Sequence, residues 1–328
     1  MSDQRRFRGT RATRRRRLAL VGIGVFVLVD LALVALALTR EPAGLSSDDA
    51  AAVRPSSAAS APATTEPAPT PTPTPTPTAA PESAPTTRSL SAVDGTRAWR
   101  ADAGTCTPGS EATVAVESTS TGGDSWVASP VTTSGELHGI DRVQVTGADT
   151  VFVIGPAGAE CTTAFAQTFS AGSAFRDYPE RLAVSWYVSR DDRATVHSPA
   201  GDRPAPCAAV VDVAVVSDAQ AAVLCSDQRL FRTADGAASW DAGTPVAGAA
   251  AVASGDGSYV VAVSGASDCA GTGISSTGVA AGSPVEPIGC APASVTTPGA
   301  VALSEAAGSV WLWAGDDVSV SRDGGRTW

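Results

Sequence analysis

The sequence contains no lysine and no asparagine, and all 23 basic residues are Arg. Without Lys there is no amine for Schiff-base chemistry and no Lys general base. Without Asn there is no N-x-S/T acceptor for N-glycosylation. The bias fits a GC-rich genome. Only two His occur, His138 and His197, with no His or Cys near either in sequence. A metal site lacks its usual ligand set, and both His read as surface or hydrogen-bonded residues. The acidic pairs Asp191-Asp192 and Asp316-Asp317 read as solvated hairpin turns. No cofactor is called for. Aromatic residues make up 5%, with only three Tyr: Tyr178, Tyr187 and Tyr259. Beyond residue 40 the chain has 31 acids against 14 Arg, a net charge of −17. Such a field disfavours nucleic acid and anionic lipid as partners.

Positive charge is concentrated at one end. Residues 1–17 carry eight Arg and one Asp, and residues 18–38 are apolar apart from Asp30. A run of this length spans a bilayer core of about 30 Å, and it exceeds the usual signal-peptide core of about 7–15 residues. The expectation is a signal-anchor helix over 18–38. The basic segment would be cytoplasmic and everything after it extracellular. Residues 39–88 are dominated by Ala, Pro, Ser and Thr, with strict Pro-Thr alternation from Pro69 to Thr78. They lack the apolar periodicity a core requires and read as a disordered linker.

Six Cys (Cys106, Cys161, Cys207, Cys225, Cys269 and Cys290) all follow the apolar span, and none forms a C-x-x-C pair. In an exported chain this reads as three disulfides. Fifteen pairings exist in principle; pairing of sequence neighbours is expected.

Residues 89–328 show no sustained 3.6-residue period. Short apolar runs between Gly, Asp and Pro indicate many short strands. Asp212–Trp240 aligns without gaps on Ala300–Trp328, an offset of 88. Half of that is one four-stranded propeller blade. Five repeats emerge, at about 89–131, 139–181, 207–246, 247–293 and 295–328. They predict an all-β, five-bladed β-propeller. The fifth reaches only its third strand, so the region around Ser89–Val93 is expected to cover that edge and close the ring.

The octapeptide Ser321-Arg322-Asp323-Gly324-Gly325-Arg326-Thr327-Trp328 reads S-x-D-x-G-x-T-W. It resembles the Asp-box (BNR) motif of sialidase-like β-propellers. Thr233–Trp240 is a second copy, with Asp235 and Trp240. Thr119–Trp126 is a third, with Thr121 at the Asp position, and Thr168–Phe175 a weaker fourth. The whole chain is similar to membrane-anchored actinobacterial proteins with sialidase-type repeats. The resemblance implies that the box is a structural turn between the third and fourth strands of a blade. Its working parts here would be Ser321, Asp323, Gly325, Thr327 and Trp328.

A sialidase-like hydrolase also needs an Arg triad and a Tyr–Glu pair. The family's early Arg-Ile-Pro motif is absent, and nothing marks Arg97, Arg100, Arg142, Arg176 and Arg181 as a triad. The chain therefore reads as a non-enzyme. One stretch departs from the repeat, Leu182–Cys207. Its Trp186, Tyr187, Arg190, Arg193 and His197 are candidates for a recognition patch, because inserted loops carry function more often than the scaffold does. The expected role is non-catalytic recognition of an envelope protein. Cell-wall glycan is the alternative partner, and glycoside hydrolysis the alternative activity.

Overall fold

The computed structural model describes residues 82–107 and 114–328. The basic segment, the apolar span and most of the linker lie outside the described residues. So do the expectations of membrane anchoring and orientation that rest on them. Among the described residues no helix is long and apolar enough to cross a membrane.

Five antiparallel meanders form the body. Blade 1 is β1(Arg88–Ala92), β2(Ala98–Asp102), β3(Ala115–Thr119) and β4(Val127–Pro130). Blade 2 is β5(Arg142–Gly147), β6(Thr150–Ala157), β7(Thr162–Thr168) and β8(Arg176–Asp177). An insertion follows, with the short helix α1(Pro179–Leu182) and the hairpin β9(Thr195–Ser198)–β10(Gly201–Pro204). Blade 3 is β11(Val210–Val215), β12(Ala221–Cys225), β13(Arg229–Thr233) and β14(Thr244–Pro245). Blade 4 is β15(Ala249–Ser254), β16(Ser258–Ser264), β17(Thr272–Gly278) and β18(Val285–Ala291). Blade 5 has three strands, β19(Val301–Ala306), β20(Ser309–Ala314) and β21(Asp317–Ser321). The five-bladed all-β propeller read from the repeats is the architecture observed.

Burial follows from stacking blade on blade. A second strand has a neighbouring blade over each face, so it needs a continuous apolar run instead of alternation. Every residue of β12 (AAVLC) and of β20 (SVWLWA) is buried. Trp311 is fully buried, and its indole N–H donates to the Asp94 carbonyl at 2.8 Å.

The inner strands define the ring. β1 lies between β5 and β19, and β15 lies between β19 and β11. At the remaining seam, between β5 and β11, stands the insertion. Arg142 donates to the Trp186 carbonyl at 3.2 Å, and Val210 N–H donates to the Arg193 carbonyl at 2.9 Å. The Trp186 indole donates to the Ser217 carbonyl at 3.1 Å.

Two expectations are corrected. Ser89–Val93 does not cover the edge of blade 5. Its residues Ser89–Ala92 lie in β1, the innermost strand of blade 1, paired with β2. Closure is instead by packing, with Leu90, Ala92 and Ala98 clustering with Ala302, Trp311 and Trp313. The linker also ends earlier than composition suggests. Ser83 N–H donates to the Ser226 carbonyl at 2.8 Å, Thr86 N–H to Val211 at 3.2 Å and Thr87 N–H to Gly299 at 2.8 Å. Backbone bonding to blades 3 and 5 orders a polar segment that has no apolar pattern.

All three disulfides pair sequence neighbours as expected: Cys106–Cys161 between blades 1 and 2, Cys207–Cys225, and Cys269–Cys290.

Candidate functional site

The Asp-box residues build turns. Gly325 N–H donates to Ser321 Oγ at 2.8 Å, and Ser321 Oγ–H donates to Asp323 at 2.7 Å. Thr327 donates to the same carboxylate from its N–H at 2.9 Å and its hydroxyl at 2.7 Å. The Trp328 indole closes onto the Gly325 carbonyl at 2.9 Å. Gly325 has φ +92°, where a side chain is strained. Blade 3 repeats the pattern: Thr233 donates to Asp235 at 2.8 Å, and Ser239 donates from N–H and hydroxyl at 2.9 and 2.6 Å. In blade 1 the Thr121 hydroxyl replaces the carboxylate and accepts Ser125 N–H at 3.0 Å. In blade 2 Thr168 still accepts Gly172 N–H at 3.2 Å, but Ala174 has no hydroxyl to complete the set. The Ser239 hydroxyl, its N–H and Thr233 hold the Asp235 carboxyl down at about 2. Thr327 N–H leads the donors that hold Asp323 well below the usual range. These carboxylates are fully engaged within their own turns, which leaves no free group for chemistry.

Of the patch expected on the insertion, Trp186 is turned away from the surface. Trp186 is only 4% exposed and packs with Val188, Val196, Val210 and Val223. The reason is the empty seam between blades 2 and 3, which this indole fills. Tyr187 is half-buried and stacks on His197, with ring centroids 4.5 Å apart. His197 Nδ1 lies 2.6 Å from Asp202. Arg190 and Arg193 turn inwards.

What the insertion does build is one wall of an axial cavity of about 130 Å3. Asp141, Arg142, Tyr187, Arg193 and Asp212 line it. Asp141 is buried and accepts from Arg190 at 3.1 Å. Burial nevertheless raises its carboxyl above the ordinary range. Asp212 accepts N–H groups from Val213 at 2.8 Å and Val252 at 3.0 Å, and burial pushes its carboxyl up to about 6. Arg142 donates to Gln144 at 2.8 Å in addition to Trp186, and burial brings its guanidinium down to about 10. Burial, and next the like charge of Arg190, lower Arg193 as well.

Sequence reasoning missed this cluster, because its members come from three segments. One signal was available: Asp212 interrupts the apolar run Val210–Val215 of an inner strand. The Arg candidates scatter. Arg97 pairs with Asp94 and Arg100 with Glu117, while Arg176 and Arg181 are exposed. Only Arg142 of that group reaches the cavity.

A second feature lies on the outer surface, where α1 follows blade 2. Phe169 is 53% exposed and Val184 62%. Phe169 meets Tyr178 edge-on at 5.9 Å, and the Arg181 guanidinium lies 5.8 and 5.4 Å from the two rings. Beside them a cleft of about 300 Å3 is lined by Phe165, Pro179, Leu182 and Asp177. His138 is buried, and Asp191, Asp192, Asp316 and Asp317 are exposed.

No known family profile matches this chain, and no curated protein does. Several solved propellers are similar in fold. A YCF48 structure bound to a D1 peptide is 14% identical, covering 75% of this chain and 82% of its own, with a TM-score of 0.39. An alpha-L-arabinofuranosidase of Clostridium thermocellum is 14% identical, covering 69% and 80%, with a TM-score of 0.38. The WD40 propeller of Doa1 is 13% identical, covering 73% and 94%, with a TM-score of 0.37. Enzymes and binding proteins both stand among them, and no functional property is carried over at this distance.

Proposed function

We propose that this chain is a non-catalytic recognition module that binds an extracytoplasmic protein through the surface where α1 leaves blade 2. The cluster of exposed Phe169 and Arg181 with the half-buried Tyr178, together with Val184 and the adjoining cleft, carries the reading. Exposed aromatics joined to Arg and rimmed by polar residues are the composition of protein-binding surfaces. The location is near the insertion that the repeat pattern singles out, but on its exposed start and not on Trp186. Three disulfides fit an oxidising compartment. With the Arg-rich segment and the apolar run 18–38, they favour display outside the membrane by a single-pass anchor.

Two alternatives have less support. A glycan platform on the insertion would need Trp186 and Tyr187 exposed and coplanar, and Trp186 is buried. The sialidase reading needs three free Arg and an activated Tyr. Of the Arg lining the cavity, Arg88 is engaged with Asp102 at 3.3 Å. Burial raises the Tyr187 phenol, the opposite of activation.

The test is a photo-crosslinking residue placed at Phe169 in the whole chain, in producing cells. A discrete protein adduct is expected. Loss of a hot-spot side chain costs about 2 kcal/mol or more, so Val184→Asp or Arg181→Ala should abolish the adduct. An adduct that forms equally from a probe at Asp268, or none at all, rejects the reading.

A further inference from the structure

Buried cations in folded chains are ordinarily held by an opposite charge. Arg142 and Arg193 line the axial cavity, yet among the described residues neither has a carboxylate within ion-pair distance. The Nε–H groups of both are buried without a partner. The nearby acids are committed elsewhere: Asp141 is held by Arg190, and Asp212 by two backbone N–H groups. Three Arg (142, 190 and 193) thus face two Asp at this end. Across the cavity Arg88 is engaged with Asp102, which leaves Glu305 uncompensated. The local balance is therefore neutral, and becomes one positive charge when Asp212 takes a proton, in a domain whose surface is acidic. Two carboxylates at the rim disfavour a dianion, and the cavity is well above the volume one water needs.

We propose that the axial cavity binds one small monovalent anion between Arg142 and Arg193, and that this anion fastens the insertion to the ring. Arg142 belongs to β5 and Arg193 to the insertion. Both line the cavity beside the seam where β5 and β11 are separated. A ligand that binds only the folded state stabilises it by mass action. The proposal is independent of the outer protein-binding surface.

The experiment uses the purified whole chain at constant ionic strength, with chloride exchanged against a bulky organosulfonate. Chloride is expected to raise the melting temperature saturably, and 35Cl NMR lines should broaden in its presence. Loss of one partner of a buried charge contact weakens binding by at least about tenfold, and Arg193→Gln should do so. Arg176→Gln, the same charge change at an exposed site on β8, should bind like the parent. If acetate displaces the chloride signal, the site also takes carboxylates; if not, it is a halide site, and either result upholds a monovalent-anion site. Affinity should be higher near pH 5 than near pH 8, since a carboxyl at about 6 gains its proton between them. Chloride effects that do not saturate, that survive Arg193→Gln, or that sulfate matches at lower concentration overturn the proposal.

Discussion

Tyr259 is fully buried, and its hydroxyl has no hydrogen-bond partner among the described residues. Burial pushes the phenol up to about 12. An unsatisfied buried hydroxyl costs about 1–3 kcal/mol. Tyr259→Phe should therefore raise unfolding free energy by about 1 kcal/mol, read by denaturant titration. The box carboxylates work in the opposite direction. Asp235 titrates at about 2 in the folded chain, below an ordinary Asp at about 3.9. Its contribution is complete above the unfolded value and lost as pH falls through the folded one. Melting temperature should thus drop from about pH 4 to about pH 2, and less in Asp235→Asn, where no carboxylate remains to be protonated. Asp212 has the reverse sign, since its folded value is raised to about 6: its contribution is complete below the unfolded value and lost as pH rises through 6. Thr121 is a natural variant of the same turn. Thr121→Asp would let one carboxylate accept both Ser125 groups that now meet the Thr hydroxyl at 3.0 and 3.1 Å. A gain of about 0.5–1.5 kcal/mol is expected from a hydrogen bond of this kind, measured by the same titration.

Among the elements, blade 4 lacks a recognisable box, yet its β17 and β18 have seven residues each. The Cys269–Cys290 bridge, at a separation of 21, joins the β16–β17 connection to β18 in place of the box. A loop of this size contributes about 3 kcal/mol in the chain-entropy model. Replacing both Cys by Ser should cost about that much. Amide exchange should accelerate most over Val285–Ala291, while the boxed blade 3 changes little. Equal acceleration in all blades would mean that the bridge acts only on the unfolded chain. This is also the scale at which the sequence is most legible. The blades, the box turns and the disulfide pairing are local, and the widest of them, Cys106–Cys161, has a sequence separation of 55. The insertion was legible only as a departure from the repeat. That Trp186 fills a seam, and that Arg193, Arg142 and Asp212 line one cavity beside it, depends on the ring's radius. No local pattern encodes that.

At the scale of the whole molecule, the ring is closed by side chains, since β1 and β21 belong to different sheets. In other words, blade 1 and blade 5 share no strand, and their junction relies on burial and on a few bonds such as Ala92 N–H to Ser304 Oγ at 2.9 Å. Trp313 lies at its centre, 4% exposed, with the Arg88 and Arg100 guanidiniums 4.2 and 4.5 Å from its ring. Arg100 also covers Trp126 at 4.1 Å, so one cation couples aromatics from both blades. Trp313→Ala should cost about 3–5 kcal/mol, the range for a buried Trp. The pattern of the loss distinguishes ring closure from ordinary core packing. If the junction is the ring's weakest seam, exchange protection should fall first on β1 and β19, while β11 to β13 keep theirs. Trp311→Phe, which keeps an aromatic in the adjoining cluster but loses the indole bond to Asp94, should show a smaller loss of the same pattern. Unfolding of all five blades together in both variants would instead make the propeller a single cooperative unit, in which no blade junction is weaker than the rest.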